Sequence, residues 1–242
     1  MDGTLRSAIL AAVAAIEGSR EALCELDSRT GDGDHGVTMT IGARGIRRQL
    51  EALESDDPAR IVRAAAVGMA GAGGAIGPIY GRALLAIAAE LESAGVGVPR
   101  STEVTEPGSP AGAPGPASGP DDVVGLLARS AAAAEAAVVA LGRAAPGDKT
   151  VLDALDPLAA SLAASAAAGL PLEAALEAAR EAARSGAQGT VAMVATVGRA
   201  SRFGERSRGS ADPGATSLAI VVDALVGSAL GRSVGSRPEV GA

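Results

Sequence analysis

Apolar residues recur every three or four positions through most of this chain, and each periodic run ends at a cluster of glycines and polar residues. Leu5, Ile9, Val13, Ile16, Leu23 and Leu26 share one helical face, so the spacing predicts a helix from about Leu5 to Leu26. A second runs to about Leu53, with Met39, Ile46 and Leu50 on one side and Arg44, Arg47 and Arg48 mostly on another. Pro58 suits the first turn of a third helix, where its missing N–H is not needed, and Ile61, Val62, Ala65 and Met69 follow. Glycines from Gly71 to Gly81 then interrupt the pattern before a helix from about Tyr80 to Ala94. Further helices are predicted from about Asp121 to Leu141, Val151 to Ala168, Leu172 to Gly198 and Ala215 to Leu230. The helix from Leu172 is long enough to kink near Gly186 or Gly189.

Two stretches lack the period. Ser101 to Pro120 is mostly Pro, Gly, Ser, Ala and Glu without an apolar face, and this predicts a solvated, disordered insert. Residues 232–242 form a polar tail expected to be flexible. The remainder predicts one domain over residues 1–242, an all-α bundle or barrel of about eight helices joined by short Gly-rich loops.

Composition narrows this picture. Tyr80 and Phe203 are the only aromatics, so Ala, Leu and Val must build a core of closely approaching helices. A formal charge of −7 disfavours non-specific nucleic-acid binding and means that an anionic ligand needs a metal or local donors. Cys24 is the single cysteine, has no internal disulfide partner, and reads as a small core residue. Neither a basic leader before an apolar run nor an 18-residue apolar span is evident, so the expected location is the cytoplasm, away from membranes.

The candidate chemistry centres on Leu26 to Thr38, where Asp27, Asp32 and Asp34 fall among Gly31, Gly33 and Gly36. Side chains alternate along an extended loop, so Asp32 and Asp34 project to one side while Asp27 reaches in from the preceding helix. Converging carboxylates of this kind suit Mg²⁺ with a phosphate ligand. A calcium loop starting at Asp32 fails, because Val37 occupies the place of the turn glycine and Ala43 that of the bidentate acid. Gly142 to Thr150 misses the phosphate-loop register, since Asp148 separates Gly147 from Lys149; it reads as a helix-start turn capped by Asp148 or Thr150. The Gly71 to Gly77 run lacks a dinucleotide fingerprint. Arg199 offers a fork of donors to phosphate, whereas Arg202, Glu205 and Arg206 read as a surface network.

Taken in order, G-D-G-D-H-G from Gly31, G-G-A-x-G-P-x-Y-G from Gly73, P-G-D-K-T from Pro146, and G-R-A-S-x-x-G-E-R-S from Gly198 with D-P-G-A-T-S from Asp212 resemble the nucleotide-binding L subunit of dihydroxyacetone kinases. The resemblance implies a barrel of eight antiparallel helices with Mg²⁺ and ATP or ADP held by loops at one end. It implies that Asp27, Asp32 and Asp34 hold two Mg²⁺ ions. By the same resemblance, His35, Gly36, Val37, Thr38 and the Ala75–Ile76 turn line the phosphates. Gly142 and Val151 flank the nucleoside, and Arg199 with Asp212, Pro213 and Gly214 closes the pocket. Four positions depart from the family pattern: Ile76 replaces a serine, Val151 a methionine, Arg202 a tyrosine and Ser210 a histidine. The implied activity is phosphoryl donation to a small ketose held by a separate K subunit, with exchangeable ATP or a phosphotransferase-system protein as the source. A non-catalytic nucleotide-metal module acting on a protein partner is the alternative.

Overall fold

The structure, a computed structural model, describes residues 5–96, 122–142 and 144–232. Nine α-helices fill most of them: α1 (Leu5–Gly18), α2 (Arg20–Ser28), α3 (His35–Glu51), α4 (Pro58–Met69), α5 (Ile76–Ser93), α6 (Val123–Val139), α7 (Leu152–Ala167), α8 (Leu172–Gly189) and α9 (Pro213–Ala229). Short 3₁₀ turns cover Thr190–Ala192 and Ala200–Ser207. From α3 onward each helix packs on the next, α9 returns to α1, and α1 meets α3, which closes a ring of eight helices; α2 lies across α3. The segments 29–34, 144–151 and 190–212 gather at one end of the ring, where Arg199 pairs with Asp32 and Thr196 bonds Asp148, and Tyr80 near the start of α5 reaches Ser217 in α9.

Local chemistry starts several of these helices. Asp57 accepts the N–H of Arg60 at 2.9 Å ahead of Pro58, Asp122 accepts that of Gly125 at 2.8 Å, and Asp212 accepts that of Ala215 at 2.7 Å ahead of Pro213. One core cluster gathers Leu152, Leu155, Leu158 and Leu162 with Val222 and Val226; another gathers Val13, Ile16, Leu23, Met39 and Met69. With few large side chains, the helices come into backbone contact. A Cβ on Gly68 would lie 2.5 Å from the Gly45 carbonyl carbon and from Ile46 Cα, so only glycine permits this approach of α4 to α3.

Three helix boundaries differ from the periodic reading. The first helix breaks at Ser19 (φ −97°, ψ 5°), and the redirected α2 still buries Leu23 and Leu26, so apolar spacing alone does not betray the bend. α5 begins at Ile76, ahead of Tyr80, because Gly77 fits where a Cβ would lie 2.6 Å from the Ala72 carbonyl. α8 stops at Gly189 rather than Gly198: the carbonyls of Thr190 and Met193 turn to a side chain from another loop, Lys149, and Met193 is extended. Cys24 is half-buried rather than a full core residue. The expected insert at 101–120 lies outside the described residues, as does the tail beyond 232.

Candidate functional site

The acidic loop is shaped around Asp27, in the last turn of α2. One carboxylate oxygen, Oδ2, accepts the backbone N–H of Asp34 at 3.0 Å and of His35 at 3.3 Å, so Asp27 satisfies the start of α3 from seven residues upstream. Gly31 runs directly over this carboxylate: a Cβ there would sit 2.8 Å from Asp27 Cγ and closer still to Oδ1. Gly33, at φ +75°, supplies the left-handed turn that brings the chain back. As a result, one oxygen from each of Asp27, Asp32 and Asp34 lies within 4.8 Å of the others, with Asp32 and Asp34 exposed. Asp32 is also ion-paired to Arg199, which arrives from the 190–212 segment.

Behind this loop, the His35 ring turns to the barrel. Its Nε2 lies 3.1 Å from the hydroxyl of Ser217, which the Tyr80 hydroxyl approaches at 3.0 Å from α5. Ser217 is fully buried on the first turns of α9 and donates to the Gly214 carbonyl at 2.9 Å. Burial lowers the His35 pKa, opposed by the negative charge of Asp27, so the imidazole is neutral at physiological pH. Burial likewise pushes Tyr80 up to about 12. The same small cluster therefore ties the beginnings of α3, α5 and α9 together.

The opposite wall consists of the loop before α7 and the segment before α9. Asp153 is buried and accepts the N–H groups of Gly147 at 2.5 Å and Thr150 at 2.6 Å, while Asp148 accepts that of Ala145 at 2.7 Å. The expected cap is thus shared: Thr150 Oγ1 accepts from Leu152 N at 3.2 Å, but Asp148 fastens its own turn and bonds Thr196. A Cβ on Gly214 would lie 3.5 Å from Val151 Cβ, so the N-terminus of α9 touches that of α7. Burial pushes the Asp212 carboxyl up to about 7, against the stabilising Ala215 N–H and the nearby Lys149 charge.

Most of the residues singled out in the sequence therefore meet at one end of the ring. Asp27, Asp32, Asp34 and Arg199 form one group, His35 joins α9 through Ser217, and Val151 abuts Gly214. Gly36, Val37 and Thr38 form the first turn of α3, and Asp212, Pro213 and Gly214 start α9. Ala75 precedes α5; Gly142 is exposed just past α6; neither is hydrogen-bonded to the other site residues among the described ones. The Ile76 side chain packs on the core cluster of Val13, Ile16 and Met69. Sequence reasoning gave no role to Ser217, Tyr80, Lys149 or Asp153. The first three stood inside the quoted motifs, and that was the available signal; Asp153 sits in an ordinary apolar stretch and had none.

Residues 29–227 match the family described as the DAK2 domain. Over 216 residues, 33% of positions are identical to the PEP-dependent dihydroxyacetone kinase 2, ADP-binding subunit DhaL, of Listeria innocua, covering 88% of each chain. The D-erythrulose kinase of Mycolicibacterium smegmatis is 32% identical over 209 residues, 85% of this chain and 32% of that one. The crystal structure of the dihydroxyacetone kinase from C. freundii in complex with AMP-PNP and Mg²⁺ matches with a TM-score of 0.62 and 26% identity, over 93% of this chain and 33% of that chain. This chain spans about a third of the length of those two kinases and most of the length of the Listeria subunit.

Proposed function

Since this chain belongs to the DAK2 domain family, we propose that it is the nucleotide-binding, phosphoryl-donating subunit of a kinase for dihydroxyacetone or a related short-chain ketose. The observation that carries this reading is the convergence of Asp27, Asp32 and Asp34 within 4.8 Å beside Arg199 and the amide-rich start of α3. The donors fit Mg²⁺: all are hard carboxylate oxygens, and Asp32 already draws a cation in Arg199. Bound there, two Mg²⁺ ions would neutralise a polyphosphate that a protein of net charge −7 otherwise repels.

The protein's own groups supply the rest. Asp27 is fixed by two amides, whereas Asp32 and Asp34 are exposed and Asp32 is held by Arg199. His35 to Thr38 line the phosphates; the His35 and Thr38 amides are taken up by Asp27 and the Asp34 carbonyl, so those of Gly36 and Val37, with those of the Ala75–Ile76 turn, direct partial positive charge toward phosphate oxygens. Gly142 and Val151 flank the nucleoside of ATP or ADP, and Asp212, Pro213 and Gly214 close the opposite side with Arg199. His35, the chain's one histidine, is tied to Ser217 and so is unavailable to capture a ketose. In this reading a separate K subunit holds that substrate.

No helix among the described residues is long and apolar enough to cross a membrane. We place the reaction in the cytoplasm, carried out by residues 1–242 as one unit. Phosphate reaches the nucleotide either by exchange with ATP or from a phosphotransferase-system protein, and single-turnover transfer with each donor distinguishes the two. The central experiment mixes the purified chain, Mg²⁺, nucleotide, K subunit and dihydroxyacetone. Transfer should require both proteins and vanish with Asp32→Asn, which should also abolish Mg²⁺-dependent ADP binding with helical circular dichroism retained. A parent protein that binds no Mg–ADP in calorimetry would refute the proposal; binding without transfer would favour the non-catalytic module.

A further inference from the structure

Lys149 is the only lysine of the chain; every other member of its 21 lysine and arginine residues is an arginine. It is also 2% exposed, with a left-handed backbone at φ 63° that disfavours any residue with a Cβ. A sequence that uses arginine for its other basic positions thus keeps a lysine at a buried, strained one. The geometry gives the reason. Nζ donates to the carbonyls of Ser210 at 2.5 Å, Thr190 at 2.6 Å and Met193 at 3.4 Å. An ammonium has three donors on a single nitrogen, matching three carbonyls that surround one point; the planar fork of a guanidinium does not.

These carbonyls belong to the two ends of the segment that carries Arg199. Thr190 and Met193 follow the C-terminus of α8, where carbonyl dipoles favour a cation, and Ser210 stands two residues before the Asp212 cap of α9. The ends are also laced directly: Asp212 N–H donates to Thr190 Oγ1 at 2.8 Å, and Gly209 N–H to the Val191 carbonyl at 2.8 Å. Lys149 ties both of these ends to the separate loop before α7, which Asp153 holds rigid through Gly147 and Thr150; midway along the segment, Thr196 meets the same loop at Asp148 through its hydroxyl and, at 3.3 Å, its N–H. Burial lowers the pKa of Lys149, and the charges of Asp212 and Asp153 oppose that shift.

We propose that Lys149 is a positioning residue whose ammonium locks the Arg199-bearing segment to the Gly142–Val151 loop, so that both walls of the nucleotide site hold as one body. That these walls enclose a nucleotide rests on the function proposed above; the lock between them does not.

The test compares the full chain with Lys149→Met and Lys149→Arg. Trypsin cleavage mapped by mass spectrometry should accelerate selectively at Arg199, Arg202 and Arg206 in both variants, with no change at Arg60 and Arg63 in α4. Mg–ADP affinity by calorimetry should fall about tenfold in each, as for loss of one charged hydrogen-bond cluster. Failure of arginine alongside methionine separates ammonium geometry from charge. Equal acceleration at all sites, or a folded Lys149→Met with parental resistance and affinity, would overturn the proposal. Should those variants not fold, Lys149→Gly, which relaxes the backbone, replaces them in the same assays. Nitrogen-15 lysine labelling of the parent gives a single side-chain signal: protection from solvent exchange supports the lock, and exchange at the free-lysine rate refutes it. If the parent binds no ADP, the functional reading fails, while the trypsin and exchange measurements still decide on the lock.

Discussion

Replacing Gly31 by alanine is a small change aimed at the centre of the acidic loop. Gly31 does not have a positive φ, so alanine brings no backbone penalty, and its effect comes from the added carbon alone. That carbon would lie 2.8 Å from Asp27 Cγ and 3.0 Å from the Asp27 carbonyl, where ordinary contact begins at 3.4 Å. The carboxylate must therefore retreat, loosening its bonds to Asp34 N–H at 3.0 Å and His35 N–H at 3.3 Å. Charge-assisted bonds of this kind contribute ~1.5–3 kcal/mol each, and partial loss should destabilise the chain by ~1–3 kcal/mol. At roughly 2–4 °C per kcal/mol for a domain of this size, calorimetric melting should fall by several degrees. Displacing one of three converging ligand atoms should weaken Mg²⁺-dependent ADP binding by about tenfold or more. Titration calorimetry and melting on the same preparations check both effects. Unchanged melting and unchanged affinity would refute the argument; a lower melting temperature at constant affinity would mean that Asp27 caps α3 without serving the metal.

Gly68→Ala should lower the melting temperature despite the ~1 kcal/mol that alanine contributes to helix propensity, because the overpacked α3–α4 contact costs ~1–3 kcal/mol; a rise would show that the helices separate freely. Asp212 titrates at about 7, above its ordinary 3.8, so the stability linked to its proton is complete below that ordinary value and is lost as pH rises through about 7. Asp212→Asn should keep the Ala215 cap and gain stability over the parent at pH 8 relative to pH 5 in urea unfolding, with an equal difference at both pH values counting against burial as the cause. Ile76→Ser should tighten nucleotide binding modestly and alter single-turnover transfer by no more than ~10-fold, equivalent to ~1.4 kcal/mol. Transfer confined to the serine variant would overturn the donor reading.

The helical period carried most of the fold, since each run of apolar residues marks a face that must be buried and each Gly-rich break marks a joint. It failed where a tertiary contact overrides it. Val191, Val194 and Val197 continue an acceptable helical spacing beyond Gly189, yet the Lys149 ammonium draws the Thr190 and Met193 carbonyls out of the helix. At Ser19 the break leaves Leu23 and Leu26 buried, so no change in pattern announces it. The three aspartates were legible because chemistry of one kind was crowded into eight residues. The lysine lock was not: one residue has no period, and its partners lie 41 to 61 positions away in the chain.

The closure of the ring by α1 on α9 also bears on how the chain acquires its structure. Neighbours such as α3 and α4 or α7 and α8 are local in sequence and can form hairpins as soon as both members exist, with little loop-closure entropy. The seam between α1 and α9 joins the first of the described helices to the last. Until α9 emerges from the ribosome, Val13 and Ile16 lack the cover of Ile220 and Val221, and the half-built ring presents an apolar face to the cell. Synthesis therefore passes through a long interval in which most helices can be formed and the barrel cannot, an interval suited to recognition by a chaperone.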